Sequence, residues 1–119
     1  MSDRIDIEAI SAVTLMVADM ARSLAFYESL GFEVGYGGPR AGFTSLRAGT
    51  QHLNLMVGTP PVGRWGRVIL YVTDVDGVYR TALAAGCQPE APPRDAGWGE
   101  RYFHLDDPDG HELSFARPL

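Results

Sequence analysis

Chemistry in this chain has to come from a short set of side chains: His52, His104 and His111, Glu112, Arg67, and the aromatics Trp65, Tyr71, Trp98 and Tyr102. His52 and His104 fall on the polar side of alternating stretches, and an internal symmetry described below pairs Glu112 with His52. A His52/His104/Glu112 set would suit a cation that takes imidazole and carboxylate donors, although a lone polar-face histidine more often bonds a neighbour. His111 directly follows a turn and reads as a solvated strand-end residue. The planar fork of Arg67 matches a carboxylate or a phosphate, unless Glu112 or Glu100 neutralises it within the protein. Trp98 in GWGE and Trp65 in GRWGR lie in glycine-flanked loops, where an indole can stack on a flat ligand or pack at a subunit interface. Tyr71 and Tyr102 offer an apolar wall with a hydroxyl, or bond a sheet neighbour. Asp106, Asp107 and Asp109 have the spacing of a turn, and a calcium loop would need six or more oxygens. No Ser/His/Asp or Cys/His set and no glycine-rich phosphate loop is visible, so no catalytic residue is named. Cys87 follows Gly86 at the start of an expected strand and reads as a half-buried structural thiol.

These groups need a scaffold, and the alternation of the chain describes one. In RYFHLDDPDGHELSFAR (Arg101 to Arg117), Asp107-Pro108-Asp109-Gly110 has the residues of a type I turn, which makes the stretch a hairpin. Phe103, Leu105, Leu113 and Phe115 form its apolar face, and Tyr102, His104, Glu112 and Ser114 its polar one. Upstream, Ala12 to Ala18 alternates as a strand. Asp19 is placed to cap a helix over Met20 to Leu30, and Gly31 to end it. Phe32 to Tyr36, Phe43 to Arg47 and Gln51 to Val57 follow as three short strands. The second half repeats the first: Val68, Leu70, Val72, Asp74 and Gly86 each lie 55 positions beyond Val13, Leu15, Val17, Asp19 and Gly31. Val75, Val78, Tyr79, Ala82 and Leu83 form the stripe of a second helix. At a shift of 60, His52, Leu53, Asn54 and Leu55 match Glu112, Leu113, Ser114 and Phe115. Gln88 to Gly99 is Pro/Gly-rich and reads as irregular. The expected fold is α+β: one domain over 1–119, with a βαβββ module at about 9–57, a linker at 58–66 and a second module at about 67–119. The two polar faces would line one cleft, the candidate site.

Composition narrows the partner. At 119 residues, 45% apolar and 21% charged, the chain is an ordinary globular domain. Its net charge of −5 and its scattered basic residues argue against nucleic acid and anionic membrane surfaces. The opening MSDRIDIEAI has no basic region followed by an apolar core, no apolar run approaches the length of a span, and the single cysteine excludes an intrachain disulfide. A cytoplasmic location and a small-molecule ligand or a second subunit are expected.

The runs VTLMVADMARSLAFYESLGFE (Val13 to Glu33) and DPDGHELSF (Asp107 to Phe115), with the repeat, resemble the vicinal oxygen chelate superfamily of glyoxalase I, extradiol dioxygenases, and fosfomycin- and bleomycin-resistance proteins. The resemblance covers nearly the whole chain. It implies the paired-module fold but no single activity, since the fold hosts several. Metal-using members resemble one another in four cleft positions bearing His, Glu or Gln, which fall here on Ala12, Asn54, Arg67 and Ser114. That set implies a lost metal site and no cofactor. The expected function is metal-independent capture of an aromatic or anionic small molecule, an antibiotic among the candidates. Arg67 would supply charge; His52, Asn54 and Ser114 orientation; and Tyr71, Trp98 and Tyr102 apolar area, with His104 also in the ligand site. The alternative is a lyase, isomerase or dioxygenase with a shifted metal site, or with His52 or His104 as general base. A homodimer is expected as well.

Overall fold

The computed structural model describes residues 5–119. Ten elements follow in order: β1 Ala12–Val17, α1 Met20–Ser29, β2 Glu33–Tyr36, β3 Phe43–Ala48, β4 Gln51–Val57, β5 Arg67–Tyr71, α2 Val75–Ala84, β6 Arg94–Asp95, β7 Glu100–Asp106 and β8 Glu112–Pro118. They form two four-stranded sheets, ordered β1-β4-β3-β2 and β5-β8-β7-β6.

Local chemistry sets the ends of both helices in the same way. The carboxylates of Asp19 and Asp74, in extended conformation, accept from the backbone N–H of Arg22 and Gly77, at 3.1 and 2.9 Å. Gly31 (φ 102°) and Gly86 (φ 86°) then turn the chain out of each helix through the left-handed region, where a Cβ would be strained.

The repeat survives as register. In the parallel β1–β4 pair Ala12 lies opposite His52 and Thr14 opposite Asn54; in β5–β8, Arg67 lies opposite Glu112 and Ile69 opposite Ser114. The offsets of 55 and 60 therefore carry one sheet onto the other. The structure departs from the sequence reading at β6, inside the stretch expected to be irregular. Arg94 and Asp95 pair with Tyr102 and Arg101. Pro92 and Pro93 lack the N–H to carry the ladder further, which holds this edge strand to two residues.

The apolar face of each sheet meets its helix in one continuous core that includes Leu15, Leu24, Tyr27, Leu53, Phe103 and Phe115. The β7–β8 turn joins the halves. Asp107 Oδ2 accepts the Tyr27 hydroxyl at 2.7 Å, and Asp109 takes Arg22 Nη2 at 2.8 Å and Ser23 Oγ at 3.2 Å. His111 is not solvated, contrary to the sequence reading: it is 2% exposed. Packing of the turn against β1 covers it. Its Nδ1 is 2.7 Å from the Trp65 indole nitrogen, which can only donate, so Nδ1 accepts and Nε2–H donates to the Met16 carbonyl, also at 2.7 Å.

A polar sheet face and the seam between the modules

Alternation along β5, β8 and β7 places Arg67, Tyr71, Glu112, Ser114, Tyr102 and His104 on the face of the second sheet away from α2. His52 and Asn54 occupy the matching face of the first sheet, with Ala12, Thr14 and Met16. Among the described residues, no hydrogen bond, ion pair or ring contact joins the polar face of one sheet to that of the other. The two sets meet at the seam, where His52 and Arg67 both line a cavity of about 400 Å³.

On the second sheet the groups form two clusters. Along β7 and the loop before it lies an aromatic wall: Trp98 sits 5.4 Å from Tyr102 and Tyr102 5.0 Å from His104, with tilted rings, and the Arg94 guanidinium covers the Tyr102 ring at 4.8 Å. Trp98 and Tyr71 are 69% and 65% exposed. Both donate to Glu100, Tyr71 through its hydroxyl and Trp98 through its indole N–H at 2.8 Å. The Tyr71 hydrogen bond first, and the Trp98 one second, hold the Glu100 carboxyl below its ordinary range. A group depressed in this way favours the folded state above its unfolded value and loses that contribution as pH falls through the carboxylate range. Tyr71→Phe is expected to move the Glu100 titration upward, toward an ordinary glutamate, in carboxyl-detected NMR. An unmoved titration would show that the bond is absent in solution.

The other cluster is charged. Glu112, with 7% of its side chain exposed, receives Arg67 Nε on Oε1 at 2.6 Å and Arg64 Nη1 on Oε2 at 3.1 Å. Arg64 also forks onto Asp106 at 2.8 and 3.1 Å. Of the two carboxylates considered for Arg67, Glu112 takes it and Glu100 does not. His104 Nδ1 lies 4.0 Å from Glu112 and 3.9 Å from Glu90. Burial, then the charge of Arg67, lower the His104 imidazole from its ordinary value, against the smaller pull of Glu112 and Glu90. The donor atoms of Glu90, His104 and Glu112 all lie within 4.8 Å of one another, close enough to hold a metal ion. This trio keeps two members of the set considered from sequence, with Glu90 in place of His52. Glu90 lies in the irregular stretch 88–99, where no periodicity marks it. Burial pushes the Cys87 thiol up, away from the reactive thiolate. Asn54 donates to Thr14 Oγ1 at 3.4 Å, and its buried Oδ1 has no partner.

A chain stretch is 42% identical over 50 residues to an uncharacterised protein of Mycobacterium bovis; the match spans 42% of this chain and 33% of that protein. A bleomycin resistance determinant encoded on the transposon Tn5 superposes with a TM-score of 0.76 at 28% identity, over 93% of this chain and 98% of that one. A bleomycin-binding protein complexed with bleomycin does so with a TM-score of 0.75 at 26% identity, over 95% of this chain and all of that one. No helix among the described residues is long and apolar enough to cross a membrane. The family pattern itself matches residues 9–115, and the chain belongs to the Glyoxalase/Bleomycin resistance protein/Dioxygenase superfamily.

Proposed function

We propose that this protein captures an aromatic or anionic small molecule, an antibiotic among the candidates, stoichiometrically and without a metal. The observation that carries the reading is the outward aromatic wall of Trp98, Tyr102 and His104 beside the Arg67 guanidinium. Flat ligands find π-faces there and anionic ones find a fixed donor. Support comes also from the similar bleomycin-binding protein, and from Ala12, Asn54, Arg67 and Ser114, a set without the imidazole and carboxylate donors that transition metals take. In this reading the protein is cytoplasmic, with modules at about 9–57 and 67–119 joined by the linker 58–66. It works as a homodimer, because a second copy would close the polar faces that one chain leaves open. Light scattering after size exclusion should give twice 12.9 kDa; a monomer at micromolar concentration would refute the dimer.

A second reading is favoured by one arrangement, the convergence of Glu90, His104 and Glu112. Two carboxylates and an imidazole suit a divalent transition metal, and the protein would then be an enzyme of the superfamily. Elemental analysis of untagged protein, with thermal shifts in Fe²⁺, Mn²⁺, Ni²⁺ and Zn²⁺, separates the two. Metal-free protein that binds aromatic ligands without turnover supports capture. Near one metal per chain, lost in Glu90→Ala and His104→Ala, would replace it with the enzyme.

A further inference from the structure

The reading of the chain as a binder of an aromatic or anionic small molecule leaves open which of the two features the ligand carries, and the inference here rests on that reading. We infer that the seam cavity takes a small aromatic monocarboxylate, its carboxylate held end-on by Arg67. The cavity is walled largely by Val13, Leu53, Val68, Ile69 and Leu70, with Arg67 and His52 as its ionisable groups. At about 400 Å³ it falls in the range of small-molecule sites, with room for one or two rings.

Arg67 is set up for this role. Glu112 holds its Nε at 2.6 Å, which fixes the plane of the guanidinium and spends only one edge of the fork. Nη1 and Nη2 have no protein partner among the described residues, and the side chain remains 47% exposed. An end-on carboxylate would use both at once, in the parallel geometry that gives arginine its preference for planar oxyanions. The charge count favours a monoanion. Arg64 and Arg67 against Glu112, Asp106 and the nearby Glu90 leave no surplus of positive charge, so the cluster takes as little added negative charge as possible. The open fork of Arg67 offers donors for one carboxylate, whereas a phosphate dianion would bring a second negative charge with no further cation on the cavity wall to meet it. His52 lines the same cavity from the first sheet.

Trp65 explains the aromatic part. Its indole nitrogen is tied at 2.7 Å to buried His111, so the ring is held in place on an otherwise irregular linker, and Trp65 lines the cavity. A planar ligand would stack on a wall already ordered, without the cost of freezing it on binding.

The test follows amide and indole resonances by NMR as 2-naphthoate, its neutral isostere 2-naphthamide, and naphthyl phosphate are titrated in. Naphthoate should shift the Trp65 indole N–H and bind about ten-fold or more tightly than the amide, the discrimination of a charge-assisted pair. Arg67→Gln should reduce naphthoate to the level of the amide. Because that change also disturbs Glu112, Ala12→Leu serves as the second variant: it narrows the cavity from the other sheet, leaves the Arg67–Glu112 pair intact, and should weaken naphthoate about ten-fold. Equal affinity for acid and amide, tighter binding of the phosphate, or unchanged binding in Ala12→Leu would overturn the inference. A shift confined to Trp98 and Tyr102 would place the ligand on the aromatic wall, sinking this site while leaving capture standing. Absence of binding by these probes and by a wider set of aromatic bases and antibiotics, below about 1 mM, would remove both.

Discussion

Asp107→Ala will destabilise the protein by about 3–5 kcal/mol, since it strips the acceptor from three buried or half-buried donors at once. Oδ1 accepts the backbone N–H of Asp109 and of His111, both at 2.9 Å, and Oδ2 accepts the Tyr27 hydroxyl at 2.7 Å. Alanine leaves all three unsatisfied with little access to water. The phenol is a dependable donor: burial, then the neighbouring Asp107 charge, raise Tyr27 well above its ordinary value. Asp107→Asn should cost much less, about 1 kcal/mol, because its carbonyl can keep the two backbone bonds while the Tyr27 hydroxyl rotates to accept from the new amide. Tyr27→Phe should fall between the two. Denaturant unfolding of the three variants checks the order, and a double-mutant cycle between positions 27 and 107 should return positive coupling. Asp107→Ala unfolding within 1 kcal/mol of the parent would mean that the turn does not lock the halves together. The consequence reaches the seam cavity, because the same turn carries His111, which holds Trp65.

Phe115→Ala should cost a similar 3–5 kcal/mol for a different reason, the cavity left by a buried ring. Phe115 is 1% exposed and stacks on Phe103 at 5.3 Å and 24°, and Tyr79 meets Phe103 edge-on at 5.4 Å. Alanine removes the stack on Phe103 and leaves a ring-sized space in the close-packed interior. Its position also separates scaffold from site. Phe115 points into the core from β8, while Ser114 and Ala116 on either side face the polar surface, opposite His104 and Tyr102. Tyr102 is partly buried, its hydroxyl accepts from Arg94 Nε at 2.8 Å and its ring meets Trp98 and His104, so Tyr102→Ala is expected to cost about 1–2 kcal/mol, less than the core substitution. It should also weaken aromatic ligands by removing the centre of the wall. If Tyr102→Ala proved more destabilising than Phe115→Ala, the wall would be structural and its ligand role would fail.

Much of this fold was legible in the sequence because the forces that set it are local. A period of two along Gln51–Val57 and Glu112–Pro118, an aspartate ahead of each helix and a glycine behind it act over a few residues, and the 55- and 60-residue offsets then specify one register for both sheets. The two-residue strand β6 escaped, since its pairing depends on where β7 lies rather than on any pattern of its own. The site was less legible. Sequence marked Arg67, His104, Tyr102 and Trp98 as residues able to do chemistry, but their partners come from packing. Glu90 and Arg64 lie on irregular segments and reach His104 and Glu112 only in the folded chain. His111 looked solvated because it follows a turn, yet docking of that turn on the first module buries it and recruits Trp65. Alternation determined which face each side chain takes. The tertiary structure alone decided that, among the described residues, the two polar faces meet at the His52–Arg67 seam, because the placement of one module on the other is set by contacts between residues some 80 to 90 positions apart, such as Tyr27 with Asp107 and Arg22 with Asp109.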